Sequence, residues 1–184
     1  MMCMISVKKR KSSTFQIAAA TIFAALVAMA TIVFQIPIPA TVGAYFNIGD
    51  AVIYVAALLF GPFVGLIAGA GAALADIMVG SPYASVTFIV KAVEGFLVGF
   101  LMKKFNSKIK NFTLCASIAV LIGGFEMVGG YFIYDAYMYG YATALMLALM
   151  NIGQMLLSLI IAVPIIHTVL RVFPQFKNYL QETL

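Results

Sequence analysis

This chain predicts an all-α integral membrane protein of six transmembrane helices with both termini cytoplasmic. Three observations carry that reading. First, 64% of its 184 residues are hydrophobic and 9% are charged, with a mean hydropathy of +1.09. A soluble domain is about half apolar and a quarter charged. Second, the apolar residues fall into runs long enough to cross a bilayer. Third, the basic residues cluster in three segments between or beyond those runs. One membrane domain, 15–170, is expected between a basic tail at 1–14 and a second tail at 171–184. The net charge of +5 sits at membrane edges, so it does not indicate nucleic acid.

Lys8, Lys9, Arg10 and Lys11 lead into an apolar run at 15–36. Without a small-residue cleavage site, that run reads as a first span and not as a removed signal peptide. Segment 36–43 holds Pro37 and Pro39 and is expected as a loop, apolar enough to tuck into the protein. Then comes FNIGDAVIYVAALLFGPFVGLIAGAGAALADIMVG at 46–80, uncharged between Asp50 and Asp76. As one helix it would run roughly 52 Å at about 1.5 Å per residue, against a hydrocarbon core of about 30 Å. Gly61 and Pro62 interrupt it near the middle, where proline removes a donor and disfavours helix just before it. Two spans folded back on each other, 44–60 and 62–80, are therefore expected, with Asp50 and Asp76 at the open end. Gly61, Gly65 and Gly69 recur every four residues, the small-residue spacing that lets helices approach closely in lipid. Asp50, behind Asn47 and Gly49, suits a helix N-cap.

After a short turn at Ser81, Pro82 and Tyr83, a fourth span at 84–102 carries Lys91 and Glu94. A linker with Lys103, Lys104, Lys108 and Lys110 follows, then a fifth span at 112–133 carrying Glu126. The Tyr-rich stretch 134–141 is expected as a loop. A sixth span at 142–170 carries Asn151, Gln154 and Pro164, and its length implies tilt or a kink. Trp is absent, so Tyr131, Tyr134, Tyr137, Tyr139 and Tyr141 are expected to supply the interfacial aromatic belt. Cys3 and Cys115 lie in the tail and at a helix start, which makes a disulfide improbable.

The distribution of Lys and Arg checks the span count. Four of the 11 precede the first span, four lie between the fourth and fifth, and two, Arg171 and Lys177, follow the sixth. Positive segments share the cytoplasmic side, so even numbers of crossings must separate them. Reading 46–80 as a hairpin gives four crossings and then two; reading it as one span breaks the rule. Lys91 is the basic residue left over. Among the acids, Asp50, Asp76, Glu94, Glu126 and Asp135 fall at membrane depth or in the outer half, where charge is costly and functional by default.

At about 1.5 Å per residue, Lys91 lies about 10 Å below the turn at Pro82, and Glu126 about 10 Å below Tyr134. Asp76, Lys91, Glu94, Glu126, Asn151 and Gln154 therefore offer hydrogen-bonding groups beneath loops rich in Pro and Tyr, with nothing comparable in the cytoplasmic half. That asymmetry describes a pocket opening outward, suited to a small polar ligand with an aromatic body. A structural alternative stands beside it: Lys91 could simply pair with Glu94 or Asp76, and Asn151 and Gln154 could bridge helices. Catalytic signals are poor. There is no nucleophile elbow, and His167 is the lone histidine, which excludes a Ser-His-Asp arrangement. No metal motif and no phosphate loop occur, so no cofactor is expected and the chain cannot itself hydrolyse ATP.

Ala20, Ala24 and Ala28 form a smooth stripe on the first span, suited either to packing within the bundle or to reversible docking. The six-helix plan, this Ala-rich first helix, the 46–80 core and the following TFIVKAVEGFLVGF resemble the substrate-binding S components of energy-coupling factor transporters. The resemblance is nearest to the riboflavin-transporter-like branch. It implies a vitamin-binding membrane subunit of the cell membrane that works with a transmembrane coupling (T) subunit and two cytoplasmic ATPases. It implies a substrate held near the extracellular side, with Lys91, Glu126 and Asn151 in contact, and docking through Ala20, Ala24 and Ala28. Riboflavin, or a basic or pyrimidine-like compound such as a thiamin precursor, fits the expectation. A proton- or ion-coupled carrier acting alone, with Asp76, Lys91, Glu94 and Glu126 as a relay, is the competing class. Six spans without a clear inverted repeat argue against it.

Overall fold

The computed structural model of the protein describes residues 13–39, 41–106 and 111–173. Lys8, Lys9, Arg10, Lys11, Lys108, Lys110, Lys177, Cys3 and most of the 171–184 tail lie outside the described residues. Within them the chain forms α1 (Ser13–Val33), β1 (Ile36–Pro37), β2 (Tyr45–Phe46), α2 (Gly49–Phe60), α3 (Pro62–Val79), α4 (Ala84–Asn106), α5 (Phe112–Tyr139) and α6 (Tyr141–Val172). All but α2 are long and apolar enough to cross a membrane, so this is a helical integral membrane protein.

The break in the long apolar stretch falls where the proline places it. Gly61 joins α2 to α3 with φ 88°, a left-handed conformation suited to glycine, and Pro62 occupies the first turn of α3, where its missing N–H costs nothing. Two expectations need correction. Segment 36–43 is not all loop: Ile36 pairs with Phe46 and Pro37 with Tyr45 in a two-stranded antiparallel hairpin. That pairing claims residues 45 and 46, so α2 begins at Gly49 rather than at 44, and its 12 residues rise only about 18 Å. The Tyr-rich stretch is not a loop either. From 134 to 139 it contains no Gly or Pro to stop a helix, and α5 runs on until Gly140, whose φ is 82°.

Glycine fixes how closely α3 and α4 lie. A Cβ on Gly65 would collide with the Gly95 carbonyl, one on Gly95 with the Gly65 carbonyl, and one on Gly69 with the Lys91 carbonyl. Gly99 meets Gly61 and Pro62 in the same way. The four-residue spacing on α3 thus meets a matching Lys91, Gly95, Gly99 spacing on α4, in the manner of small-residue seams in lipid. On its other side, Gly71 of α3 lies against the backbone of Ala24 in α1. The core divides in two. Around the α2–α3 turn it gathers apolar side chains, among them Phe60, Val64, Met102, Cys115, Ala119 and Ile166. Toward the hairpin end lies a second cluster that includes Tyr83, Met127, Tyr131 and Met155.

Gly69→Val forces a side chain into the α4 backbone, which cannot shift as a side chain can. The expected loss is about 3 kcal/mol, at the upper end for overpacking, read as a lower midpoint of unfolding in detergent. Gly153→Ala, where nothing lies within 4 Å of the added carbon, leaves that midpoint unchanged or raised.

Candidate functional site

The hairpin end of the bundle is tied together by side chains that reach across the chain. Tyr139 donates to the Val42 carbonyl at 2.7 Å and accepts from the Val42 N–H at 3.1 Å. Tyr134 donates to the Pro82 carbonyl at 3.1 Å, and the Asn47 N–H donates to Gln154 Oε1 at 2.9 Å. Beneath these ties lies a cavity of about 490 Å³, counting its open mouth. Its walls come from Thr31 of α1, the hairpin residues Ile38 and Tyr45, Ala72 and Asp76 of α3, and Thr87 and Lys91 of α4. Tyr131 and Asp135 of α5, Leu147, Asn151 and Gln154 of α6, and Tyr83 of the α3–α4 turn complete it.

The floor is an ion network. Lys91 Nζ lies 2.5 Å from Asp50 Oδ1 and 3.0 Å from Glu94 Oε2, and all three residues are buried. Gln154 donates to Asp50 Oδ2 at 2.8 Å, and Tyr54 donates to Glu94 Oε1 at 2.6 Å. The ammonium also faces the Tyr131 ring, 5.6 Å from its centroid, within cation–π range. Asp50 therefore does not cap α2. The N-cap position is Ile48, and Asp50 lies in the first turn, where Lys91 and Gln154 engage both of its oxygens; Asn47 Oδ1 accepts the Gly49 N–H at 2.7 Å.

Two further carboxylates stand on the wall, each met by a phenol. Tyr45 donates to Asp76 Oδ1 at 2.5 Å and Tyr83 to Asp135 Oδ1 at 2.6 Å. Tyr83 lies on the α3–α4 turn, outside the spanning helices, and burial together with the neighbouring Asp135 carboxylate raises its pKa well above the usual phenol value, so it stays protonated as a donor.

Of the residues singled out from sequence, Asp76, Lys91, Asn151 and Gln154 come together on the cavity wall. Glu94 lies beneath it in the ion network. Glu126 is not on the wall; it is half-buried, with Oε2 lacking a hydrogen-bond partner among the described residues. The tyrosines divide: Tyr137 and Tyr141, 87% and 67% exposed, suit a belt, whereas Tyr131 is buried on the cavity wall. Tyr45, Tyr83 and Thr87 escaped the sequence reading, and Asp135 was singled out as an acid at depth but not placed in the site. Thr87 lies one turn before Lys91 and Asp135 one turn after Tyr131, so helical spacing could have found those two. Tyr45 and Tyr83 reach carboxylates 31 and 52 residues away, and no local pattern marks them.

Within this chain the alanine stripe packs inward: Ala20 and Ala28 are buried, and Ala24 has its backbone against Gly71 of α3. Ala18, Ile22, Ala25 and Met29 form the exposed face of α1.

Residues 11–171 match the family model described as "ECF-type riboflavin transporter, S component". The chain is 38% identical over 115 residues to an uncharacterized protein in the gap 3′ region of Pyrococcus woesei, covering 62% of this chain and 74% of that protein. It is 33% identical over 131 residues to the thiamine precursor transporter HmpT of Lactococcus lactis subsp. cremoris, covering 70% of this chain and 72% of HmpT.

Removing Lys91 from its network leaves two carboxylates buried without a counter-charge. Lys91→Met is expected to cost about 3–5 kcal/mol of stability, measured by unfolding in detergent. Replacing the whole triad with Asp50→Asn, Lys91→Met and Glu94→Gln together recovers most of that loss, because no charge is then stranded.

Proposed function

Because the chain belongs to the S-component family of ECF-type riboflavin transporters, we propose that it captures a water-soluble vitamin for import. Riboflavin, or a thiamin-precursor pyrimidine or related compound, enters the cavity from outside. The chain, a multi-pass protein of the cell membrane, then delivers it through a T subunit driven by two cytoplasmic ATPases. One observation carries this reading: a cavity with Asp76, Lys91, Asn151 and Gln154 on its wall lies at one end of the bundle, and a cluster of apolar side chains fills the space around the α2–α3 turn. The name of HmpT, a thiamine precursor transporter, supports the pyrimidine end of that range of ligands.

In this reading the chain crosses the membrane six times with both termini inside. The short α2, continued outward by the hairpin, serves as the second crossing, and the basic segments then share the cytoplasmic face. The cavity opens outward, under the hairpin. The chain supplies binding, not chemistry: the wall offers hydrogen-bonding groups and aromatic surface, and ATP is used by the partners. Docking on the T subunit falls to the exposed face of α1, where Ala18 and Ala25 keep the surface smooth.

Two measurements test this. Asn151→Ala removes a wall amide outside the ion network and is expected to weaken vitamin binding at least about tenfold, about 1.4 kcal/mol, by calorimetry on purified protein. Ala25→Trp is expected to abolish uptake by the reconstituted complex while ligand binding persists. Uptake by this chain alone in liposomes, driven by a pH gradient without ATP, would favour the ion-coupled carrier instead.

A further inference from the structure

The charges on the cavity wall do not balance. Lys91 is the cation among the wall residues, and its ammonium is already engaged by Asp50 and Glu94. Asp76 and Asp135 face the same space with phenols as their hydrogen-bond partners. Asp76 is 1% exposed; the Thr87 and Ser81 hydroxyls lie beside its carboxylate, but Oδ2 is buried with no partner at hydrogen-bond geometry among the described residues. A carboxylate oxygen removed from water and left unbonded is costly, and native structures rarely tolerate one without a reason. Here the oxygen belongs to a residue that lines an open cavity, so the missing partner can arrive from outside.

We propose, building on the reading of this cavity as the vitamin site, that its ligand is a nitrogen heterocycle carrying an amino group. Asp76 Oδ2 accepts the amino N–H. An anionic acceptor with no cation of its own selects N–H donors and repels carbonyl oxygens. The flavin ring presents an imide whose N–H is flanked by two carbonyls, so it would bring an oxygen toward this carboxylate. An aminopyrimidine edge brings an amino group beside a ring nitrogen acceptor. Asn151, on the same wall and in no hydrogen bond among the described residues, can donate to that nitrogen. The Tyr131 and Tyr83 rings and Leu147 supply flat and apolar surface for the ring itself.

The test compares the hydroxymethyl aminopyrimidine that forms the pyrimidine half of thiamin, the same ring with oxo in place of amino, and riboflavin. Each is titrated into purified protein in detergent. The amino compound is expected to bind about a hundredfold or more tighter than its oxo counterpart, as buried acceptors discriminate donors. Asp76→Asn is expected to shrink that preference at least about tenfold, because its amide can donate to an oxo group. Tyr45→Phe, which keeps the carboxylate, retains the preference. Riboflavin binding with no preference for the amino ring, or a preference that Asp76→Asn leaves intact, overturns the assignment while the transport reading stands. If Asp76→Asn does not fold, the wild-type ratio decides, and a ratio near one overturns it. Failure of all three compounds to bind removes the vitamin site and the assignment together.

Discussion

A buried ammonium held between two carboxylates is the interaction on which the upper half of this bundle depends. Lys91 joins α4 to α2 through Asp50, and Gln154 extends the link to α6 and onward to the Asn47 backbone. Desolvating three charges is expensive, and the attraction among them repays that cost only with good geometry and further hydrogen bonds. The geometry comes from glycine. Because the Lys91 carbonyl lies directly against Gly69, the backbone of α4 has no freedom to drift at this level. A seam without side chains thus positions the one side chain that carries the central charge.

The network explains why the protein is hollow at one end and solid at the other. Around the α2–α3 turn, small and branched apolar residues close the space between helices. At the hairpin end, charged and phenolic groups replace them, and polar groups cannot be packed to the same density without leaving some unbonded. The hairpin and two tyrosines of α5 bridge the opening. These ties are a few hydrogen bonds, one from Tyr134 to the Pro82 carbonyl and two between Tyr139 and the Val42 backbone, each worth about 1 kcal/mol net, so the roof is easier to open than the floor. That gradient of strength is what a subunit that captures ligand from one side requires.

Much of the fold was legible in the sequence, because the bilayer allows few alternatives. Charge-free length and a Gly-Pro break place the apolar helices and the turn between α2 and α3. The reading failed where a polar-looking segment was taken for a loop. Residues 134–139 are rich in Tyr yet contain nothing that ends a helix, and two of those tyrosines turn inward to hold loops rather than outward to lipid. The site was legible as a set of polar residues at a common depth, and depth brought Asp76, Lys91, Asn151 and Gln154 together correctly. It could not assign partners. Lys91 has Asp50 beside it, not Asp76, because which face of α2 meets α4 depends on packing that no local spacing reveals. The alanine stripe shows the same ambiguity: small residues mark close approach, but not whether the neighbour is within the chain.

This separation of duties bears on how one scaffold could serve different ligands. The seam of Gly65, Gly69, Gly95 and Gly99 and the Lys91 network set the shape of the bundle, and changes there threaten folding. The wall residues Asp76, Asp135, Thr87 and Asn151 stand outside that seam and network, and the two aspartates carry charge that the scaffold does not need for its own neutrality. A group buried at electrostatic expense, without a structural partner for all its atoms, is more naturally explained by what it meets than by what it supports. On the proposed reading, the identity of the ligand is set by the imbalance of the wall and not by the helices that the chain shares with its family. Two chains with the same helical plan can differ in ligand through a few carboxylates and amides at the mouth.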